Sequence, residues 1–533
     1  MSNNNSNNNG GGRKGGEGGA AAAAAEIVGI LVGRARPEEV TFESKRPVSI
    51  GEYVTLEYGG GRGKVLGLVE RSSITSDALR DDIHNYEEAF ESRQVAMENA
   101  RDKSYKGTVR ILGYLDDLKR CRAVIPAVPA EPGTEVFEAT AQDLAAIFSP
   151  SGGEWARVGS LLRNPDVDVG VNVNTVVSRH LAVLAMTGMG KSNLVSLLTK
   201  EIARIRGTMV IFDYHDDYAG LDIPGSNKME AKINPRYLSV DEFAEVIEVR
   251  ENASNQLHVL RAAFTDEIRK YSGDAFWERL SDSALAAGNE KTYREAAEKV
   301  MDKIQDARRR FRGVLDPDLA DPLALVKNGK INILSLVELT ERQANIIVAY
   351  YLQELLEDRK KAKKQVKGES SPPRFPAPVL AVIEEAHVFV PKGEDTETKY
   401  YASKVAREGR KFGLGLVIVS QRPRSIDPNI LSQMGSLAVM RMVQPDDQMQ
   451  VAAASESLSK DLVDQLTSLN PGEAILAGQW VNLPAFVRVD EVRGRRVGSD
   501  INAVEQWRQL SSVAEIAARE TSQSYIPSGY SDD

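Results

Sequence analysis

The segment Thr187–Ser192, TGMGKS, has the composition of a loop that binds nucleotide phosphates. Its glycines let backbone N–H groups turn toward phosphate oxygens, and a helix after the loop would add its positive end. In this interpretation Lys191 binds the β- and γ-phosphates of ATP, and Ser192 holds Mg²⁺. We assign nucleotide binding to Thr187, Gly188, Met189, Gly190, Lys191, Ser192 and Asn193. The alternative is a tight glycine turn with an exposed lysine, and Ala185 replaces the first glycine of the general pattern.

Two adjacent carboxylates, Glu384 and Glu385, end an apolar run that starts at Pro378. Beside a phosphate loop, the first carboxylate suits the Mg²⁺ shell and the second suits polarising the attacking water. Adjacent residues of a strand point to opposite faces, so the two acids are expected to have different roles. Solvated acids at a strand end are the alternative, and the nearby phosphate loop disfavours it.

Further polar side chains follow other predicted strands. Gln421 comes directly after the run LVIVS and is placed to sense the γ-phosphate. Arg410 is a candidate arginine finger, a cation supplied to the ATP of a neighbouring subunit, although a solvated helix face explains it equally well. The segment FDYHDDY (212–218) puts charged and aromatic groups at a strand's carboxyl end, where α/β sheets bind ligands. Its histidine and the two others near the motifs lack zinc-ligand spacing, so packing is the alternative role.

Two kinds of hydrophobic pattern divide the chain. Short β-rich runs broken by glycine turns predict a small barrel near the N-terminus, with a helix over Thr75–Arg101. Buried-type strands alternating with helical patterns predict an α/β fold with a parallel sheet after Trp155. The predicted segments are a disordered low-complexity tail (1–25), the barrel (26–145), the α/β core (155–497) with a helical insertion (239–325), and a C-terminal helix and tail (498–533).

Composition excludes several classes of protein. The 533 residues include 76 acids and 67 bases, a net charge of −9, which excludes a wholly basic DNA coat but not a basic channel. The single cysteine, Cys121, excludes a disulfide scaffold and a cysteine-rich zinc site. No run approaches the ~18 apolar residues of a membrane span. We therefore expect a cytoplasmic protein without membrane segments.

Five motifs in this order resemble the HerA-type DNA translocases of archaea, in the HerA/FtsK superfamily. They are Arg179-His180, TGMGKSN, FDYHDDY, VIEEAH and AREGRKFGLGLVIVSQRP, and the resemblance extends over about residues 26–495. It implies a RecA-like ATPase core, an N-terminal barrel similar to the HAS barrel, and a homohexameric ring with ATP between subunits. It also implies double-stranded DNA threading the pore and a NurA-type nuclease partner in DNA end resection.

Carried over by motif, the resemblance gives roles to individual residues. Lys191 and Ser192 bind nucleotide and Mg²⁺, and Glu385 is the catalytic acid. Arg410 is the arginine finger acting on the neighbour, and Arg179 is a second arginine that reaches the neighbour's nucleotide.

Two other functions stay open at this point. A related ring ATPase of a secretion or conjugation apparatus would share the core, but such proteins commonly carry membrane segments. A non-catalytic scaffold is disfavoured by the intact nucleotide motifs. The basic segments Ala307–Arg312 and Lys360–Lys367 are candidate DNA contacts, and solvated surface charge is the simpler interpretation of either.

Overall fold

The computed structural model describes residues 26–58, 63–99, 101–250, 252–289, 291–319, 323–364 and 372–492. The chain forms two compact units, divided between Leu144 and Ala145. The predicted tail 1–25 and the predicted C-terminal helix and tail 498–533 lie outside the described residues. In the part of the chain that is described, no helix combines the length and apolar character needed to cross a membrane.

The first unit contains a closed barrel of antiparallel strands, ordered β1-β2-β5-β4-β3-β6 among the described residues. Pairing of β6 with β1 closes the barrel, which removes the exposed sheet edges on which other chains could pair. Apolar side chains that include Phe42, Leu56 and Val136 fill the interior. The predicted barrel is therefore present. Its strands are β1 (Ile27–Val32), β2 (Glu39–Ser44), β3 (Tyr53–Tyr58), β4 (Gly63–Ser76), β5 (Lys103–Tyr114) and β6 (Glu135–Glu138).

The helix predicted over Thr75–Arg101 is shorter than expected. Residue 75 belongs to β4, and the helix α1 spans Tyr86–Glu98. It begins there because the Asn85 side chain accepts a hydrogen bond from the backbone N–H of Glu88, at 2.8 Å. A short helix α2 (Leu115–Leu118) follows β5, and α3 (Ala141–Phe148) spans the division between the units.

The second unit is built on a sheet whose described strands have the order β11-β12-β10-β13-β14-β9-β15-β16-β17-β7-β8. The first seven strands in this order, from β11 through to β15, run parallel, as predicted. They are largely buried because helices cover the sheet. The remaining four strands extend the sheet in antiparallel fashion and were not predicted. The strands are β7 (Trp155–Leu161), β8 (Asp168–Asn172), β9 (Leu181–Leu184), β10 (Thr208–Asp213), β11 (Asn227–Met229), β12 (Ile331–Ser335), β13 (Val379–Ile383), β14 (Leu414–Ser420), β15 (Ser436–Met440), β16 (Glu473–Gly478) and β17 (Ala485–Val489).

Helices of the second unit connect these strands, and α6–α9 lie within the predicted insertion, between β11 and β12. Helix α10 continues to Lys364, so the basic segment Lys360–Lys367 begins as helix, which lysine favours. The helices are α4 (Val173–Arg179), α5 (Lys191–Arg204), α6 (Val240–Val246), α7 (Ser254–Ala263), α8 (Gly273–Ala286), α9 (Arg294–Arg310), α10 (Glu341–Lys364), α11 (Ala386–Phe389), α12 (Glu397–Phe412), α13 (Pro428–Leu431), α14 (Pro445–Ala454) and α15 (Lys460–Asp464).

Candidate active site

The phosphate loop joins the buried strand β9 to the 14-residue helix α5. Gly188 and Gly190 have φ angles of 78° and 109°, in the left-handed region that glycine adopts without a Cβ penalty. Within the described part of the chain, five backbone N–H groups of this turn make no backbone hydrogen bond: those of Thr187, Gly188, Gly190, Lys191 and Ser192. Unpaired N–H groups at a helix start form a cradle for an anion, so the loop fits phosphate oxygens.

Lys191 lies at the base of this loop and is 9% exposed. Burial lowers the pKa of its ammonium group, and the charges of Glu385, Glu384 and Asp217 oppose that shift. The lysine therefore sits among acids at the carboxyl edge of the sheet. A cation in this position can attract a phosphate group as well as orient the neighbouring carboxylates.

Glu385 has an unusual backbone and an ionised side chain. Its φ of 45° is left-handed, a conformation that costs a non-glycine residue about 1–2 kcal/mol and that accumulates at functional sites. Its carboxylate Oε2 lies 3.1 Å from His387 Nδ1, and its Oε1 lies 3.9 Å from His215 Nδ1. Burial raises the pKa of Glu385, but its close contact with His387 and the charge of Lys191 outweigh burial and hold the pKa below its ordinary value. An ionised carboxylate here can orient and polarise a water molecule.

Glu384 points away from this carboxylate and pairs with Asp213, and both side chains are almost fully buried. Burial raises the pKa of each carboxyl, and the contact with Asp213 raises the pKa of Glu384 further. Glu384 Oε2 also accepts hydrogen bonds from the backbone N–H groups of Tyr214 at 3.2 Å and His215 at 3.4 Å. Within the described residues no contact joins Glu384 to Ser192, so its role in the Mg²⁺ shell stays a prediction.

The acid beside Ser192 is Asp217. The Ser192 hydroxyl donates to Asp217 Oδ2 at 2.6 Å, and the Asp217 backbone N–H donates to Asp213 Oδ1 at 2.9 Å. Hydroxyl and carboxylate oxygens are the ligand types that Mg²⁺ prefers, so this pair fits the metal of a nucleotide. The described residues contain no group of three or more histidines, cysteines or acids arranged to hold a metal by themselves. Sequence reasoning noted FDYHDDY as a segment but did not single out Asp217.

Gln421 lies at the phosphate loop, whereas Asn193 does not face it. The Thr187 hydroxyl donates to Gln421 Oε1, which joins the end of β14 to the loop. The Asn193 amide group donates to the backbone oxygen of Asp490 at 2.7 Å and accepts from the N–H of Val492 at 3.0 Å. Asn193 therefore holds the segment after β17, and its predicted role in nucleotide binding stays a prediction without a supporting contact.

Arg179 and Arg410 lie at the other edge of the sheet. Arg179 ends α4 just before β9, and Arg410 lies near the end of α12, just before β14. Since β9 and β14 are parallel neighbours, both arginines are at the amino edge, and the phosphate loop is at the carboxyl edge. Four residues of β9, about 13 Å, separate the edges. Neither guanidinium has a hydrogen bond or ion pair with another described residue.

The three histidines near the motifs divide into two groups. His180 Nδ1 accepts a hydrogen bond from the Leu416 N–H at 3.0 Å, so the proton is on Nε2, which lies 3.1 Å from the Ala406 oxygen. This buried histidine joins α12 to β14, which is the packing role left open by the sequence. His215 and His387 instead flank Glu385.

The basic cluster at the end of α9 is largely neutralised inside the chain. Arg308 contacts Asp274, and Arg310 lies 2.8 Å from Glu248. Arg309 lies 3.6 Å from Asp306. These pairs favour the surface-charge interpretation for three of the four arginines of 307–312.

Comparison with known proteins finds relatives over nearly the whole chain. Residues 156–355 match the family described as "Helicase HerA, central domain". The chain is 38% identical over 504 residues to the DNA double-strand break repair helicase HerA of Saccharolobus solfataricus, covering 92% of this chain and 97% of the relative. It is 32% identical to the protein of the same name from Pyrococcus furiosus, covering 91% and 97%.

Two solved structures are similar at lower identity. VirB4 of Thermoanaerobacter pseudethanolicus is 12% identical, with a TM-score of 0.49 over 64% of this chain and 98% of that chain. The plasmid coupling protein TrwB in complex with ADP and Mg²⁺ is 15% identical, with a TM-score of 0.45 over 67% and 93%.

Proposed function

Because this chain belongs to the HerA helicase family, we propose that it is an ATP-driven, ring-forming translocase or helicase of double-stranded DNA. One observation carries the proposal: a buried Lys191 and an ionised Glu385 lie together at a loop with five backbone N–H groups that make no backbone hydrogen bond within the described residues. That combination suits phosphoryl transfer to water, which needs charge stabilisation and an oriented nucleophile. The names of these relatives, which describe a DNA double-strand break repair helicase, support DNA as the substrate.

Each residue of the site has its own role in the proposed ATP hydrolysis. MgATP supplies the reactive phosphoanhydride and the metal charge when it is bound. Lys191 and the loop N–H groups hold phosphate oxygens, and Ser192 with Asp217 supplies oxygen ligands for the metal. Glu385 orients the attacking water and accepts its proton. Gln421, in contact with Thr187, is placed to respond to the γ-phosphate.

The positions of the two arginines support a shared site. Arg179 and Arg410 lie at the edge of the sheet opposite the loop of their own chain. In a homohexameric ring each amino edge would face the loop of the next subunit, so that both guanidinium groups stabilise charge on the neighbour's ATP. Hydrolysis at such an interface couples to movement between subunits, because loss of the phosphate removes contacts that hold them together.

The proposal has two further parts. Duplex DNA passes through the ring, and a NurA-type nuclease acts with it in DNA end resection and recombination repair. Both follow from the family resemblance. Exposed bases that form no ion pair with another described residue, such as Arg312 and Lys361, are available for phosphate contacts that do not read sequence. The alternative is a ring ATPase of a secretion or conjugation apparatus, and stimulation of ATP hydrolysis by duplex DNA separates the two.

The test compares ATP hydrolysis by wild type, Lys191→Ala and Glu385→Gln, each with and without duplex DNA. We expect Lys191→Ala to lose nucleotide binding and hydrolysis, and Glu385→Gln to bind ATP but turn it over about 10²–10⁴-fold more slowly. Lys299→Ala, at an exposed lysine of α9, is the control and retains wild-type rates. Normal turnover by either site variant refutes the assignment, and a wild type indifferent to duplex DNA favours the alternative.

A further inference from the structure

His387 contacts two side chains of the site through a single nitrogen. It lies in the short helix α11, directly after the two acids, and its side chain is 14% exposed. Nδ1 is 3.1 Å from Glu385 Oε2 and 3.2 Å from Ser420 Oγ. The imidazole is therefore placed between the carboxylate of one strand end and the hydroxyl of the next.

The hydrogen-bonding capacity of the neighbours shows where the proton lies. Ionised Glu385 can only accept, so a lone pair on Nδ1 at this distance would repel it. Nδ1 must carry the hydrogen, which it donates to Ser420 Oγ, while the imidazole stays in close polar contact with Glu385 Oε2. Ser420 is fully buried, and its Oγ also accepts from the Arg422 N–H at 3.1 Å, which fixes the hydroxyl.

The end of β14 connects this contact to the phosphate loop in two ways. The backbone oxygen of Ser420 accepts from the Ala185 N–H at 3.2 Å, where the loop begins. The next residue, Gln421, accepts from the Thr187 hydroxyl within the loop. A shift of the loop when phosphate binds is therefore transmitted to Ser420 and to the imidazole of His387, which Ser420 contacts.

From this chain of contacts we propose that His387 positions Glu385 and that Ser420 couples this positioning to occupancy of the phosphate loop. Glu385 needs such support because its backbone is left-handed just after β13 and, among the described residues, no hydrogen bond fixes the rotation of its carboxylate. The inference rests on the proposed function, since it gives Glu385 a partner in ATP hydrolysis. We assign His387 as a positioning residue, because its polar contacts are with Glu385 and Ser420.

The test compares His387→Asn with His387→Gln. Asparagine keeps an N–H donor close to the place of Nδ1, and glutamine moves it one methylene further out. We expect His387→Gln to lower kcat about tenfold while KM for ATP changes less than about twofold, and His387→Asn to keep most of kcat. Ser420→Ala, which leaves the imidazole intact, should lower kcat in the same direction. In a Glu385→Gln background, His387→Gln should cause no further loss, because the group it positions is gone.

Several outcomes would overturn the inference. They are wild-type kcat in His387→Gln, equal losses in the two His387 variants, or a further loss in the Glu385→Gln background. Binding of a non-hydrolysable ATP analogue, with an unchanged melting temperature, establishes that each variant is folded. If His387→Gln fails this check, Ser420→Ala decides alone: a lowered kcat at unchanged KM supports the inference, and a wild-type kcat overturns it. Failure of the proposed function shows instead as an inactive wild type or a fully active Glu385→Gln.

Discussion

The hydroxyl group of Ser192 donates a hydrogen bond to Asp217 at 2.6 Å, so the serine of the phosphate loop is paired with an acid from the segment that follows strand β10. The sequence assigned Mg²⁺ to Ser192 and Glu384, whereas the Glu384 carboxyl contacts Asp213, and burial raises the pKa of both acids. The acid available to a metal ion at Ser192 is thus Asp217, and its contribution can be measured.

Asp217→Asn should weaken the binding of Mg²⁺ together with nucleotide, so that nucleotide binding requires more Mg²⁺. Removing the charge leaves Ser192 with a neutral neighbour, and we expect the Mg²⁺ concentration needed for half-maximal ADP binding to rise about tenfold. The measurement is a titration of Mg²⁺ at fixed ADP. Asp216→Asn is a matched control, because residue 216 has a φ of 63°, which asparagine tolerates, and its side chain is exposed. Equal effects of the two substitutions would assign the change to net charge alone.

His180 gives the α/β core a defined dependence on pH. Burial lowers the pKa of this histidine from 6.5 to about 4. Between these values the unfolded chain binds a proton that the folded chain does not, so stability rises with pH and is lost as pH falls through the window. Relative to His180→Asn, the wild type should lose about 3 kcal/mol of unfolding free energy between about pH 7 and pH 4. Urea unfolding measures it, and parallel pH profiles would contradict the burial argument.

Arg410→Ala should abolish most ATP hydrolysis in a ring made of this variant alone. Co-expression with Lys191→Ala should restore part of the activity, because some interfaces then combine an intact Lys191 with a neighbour's intact Arg410. Tagged pull-down of both variants confirms that they co-assemble, and ATP turnover is the readout. Arg407→Ala, one turn earlier on α12, is the control that retains activity. Mixed rings with no recovered turnover would argue against action on a neighbour.

Gly409→Ala should separate α12 from β14. A Cβ at residue 409 would lie 2.3 Å from the backbone oxygen of Leu414, which cannot move without shifting the strand. We expect a loss of about 1–3 kcal/mol in unfolding free energy, together with reduced ATP turnover, since Arg410 is the next residue. Lys411→Ala, exposed on the same helix, should leave stability unchanged within about 0.5 kcal/mol. Thermal unfolding of both variants decides, and equal melting temperatures would show that the contact relaxes.

Much of the site could be predicted from the sequence because parallel strands bring their carboxyl ends to one edge. Lys191, Glu385 and Gln421 follow strands β9, β13 and β14, so their order along the chain was enough to place them together. The contacts of the acids were less predictable. Which of the aspartates after β10 faces Ser192 depends on the left-handed turn at Asp216, for which the sequence has no strong local signal.

The antiparallel half of the sheet shows where local patterns carry too little information. Strand β17 pairs with β7 more than 300 residues earlier, with Val487 opposite Leu161. Such long-range pairing is decided by the packed fold and not by short apolar runs. The arginines of α9 are a similar case, because a run of bases looks like a nucleic-acid contact until its acidic partners are located in space.

The two hydrogen bonds between the Asn193 side chain and the backbone at Asp490 and Val492 have a mechanical consequence. These hydrogen bonds hold the first turn of α5 to the segment after β17. A further hydrogen bond, from the Gly472 N–H to the Met189 oxygen at 3.0 Å, holds the phosphate loop itself. The phosphate loop is thereby held rigid before the nucleotide binds, so the free energy of binding is not used to order the loop.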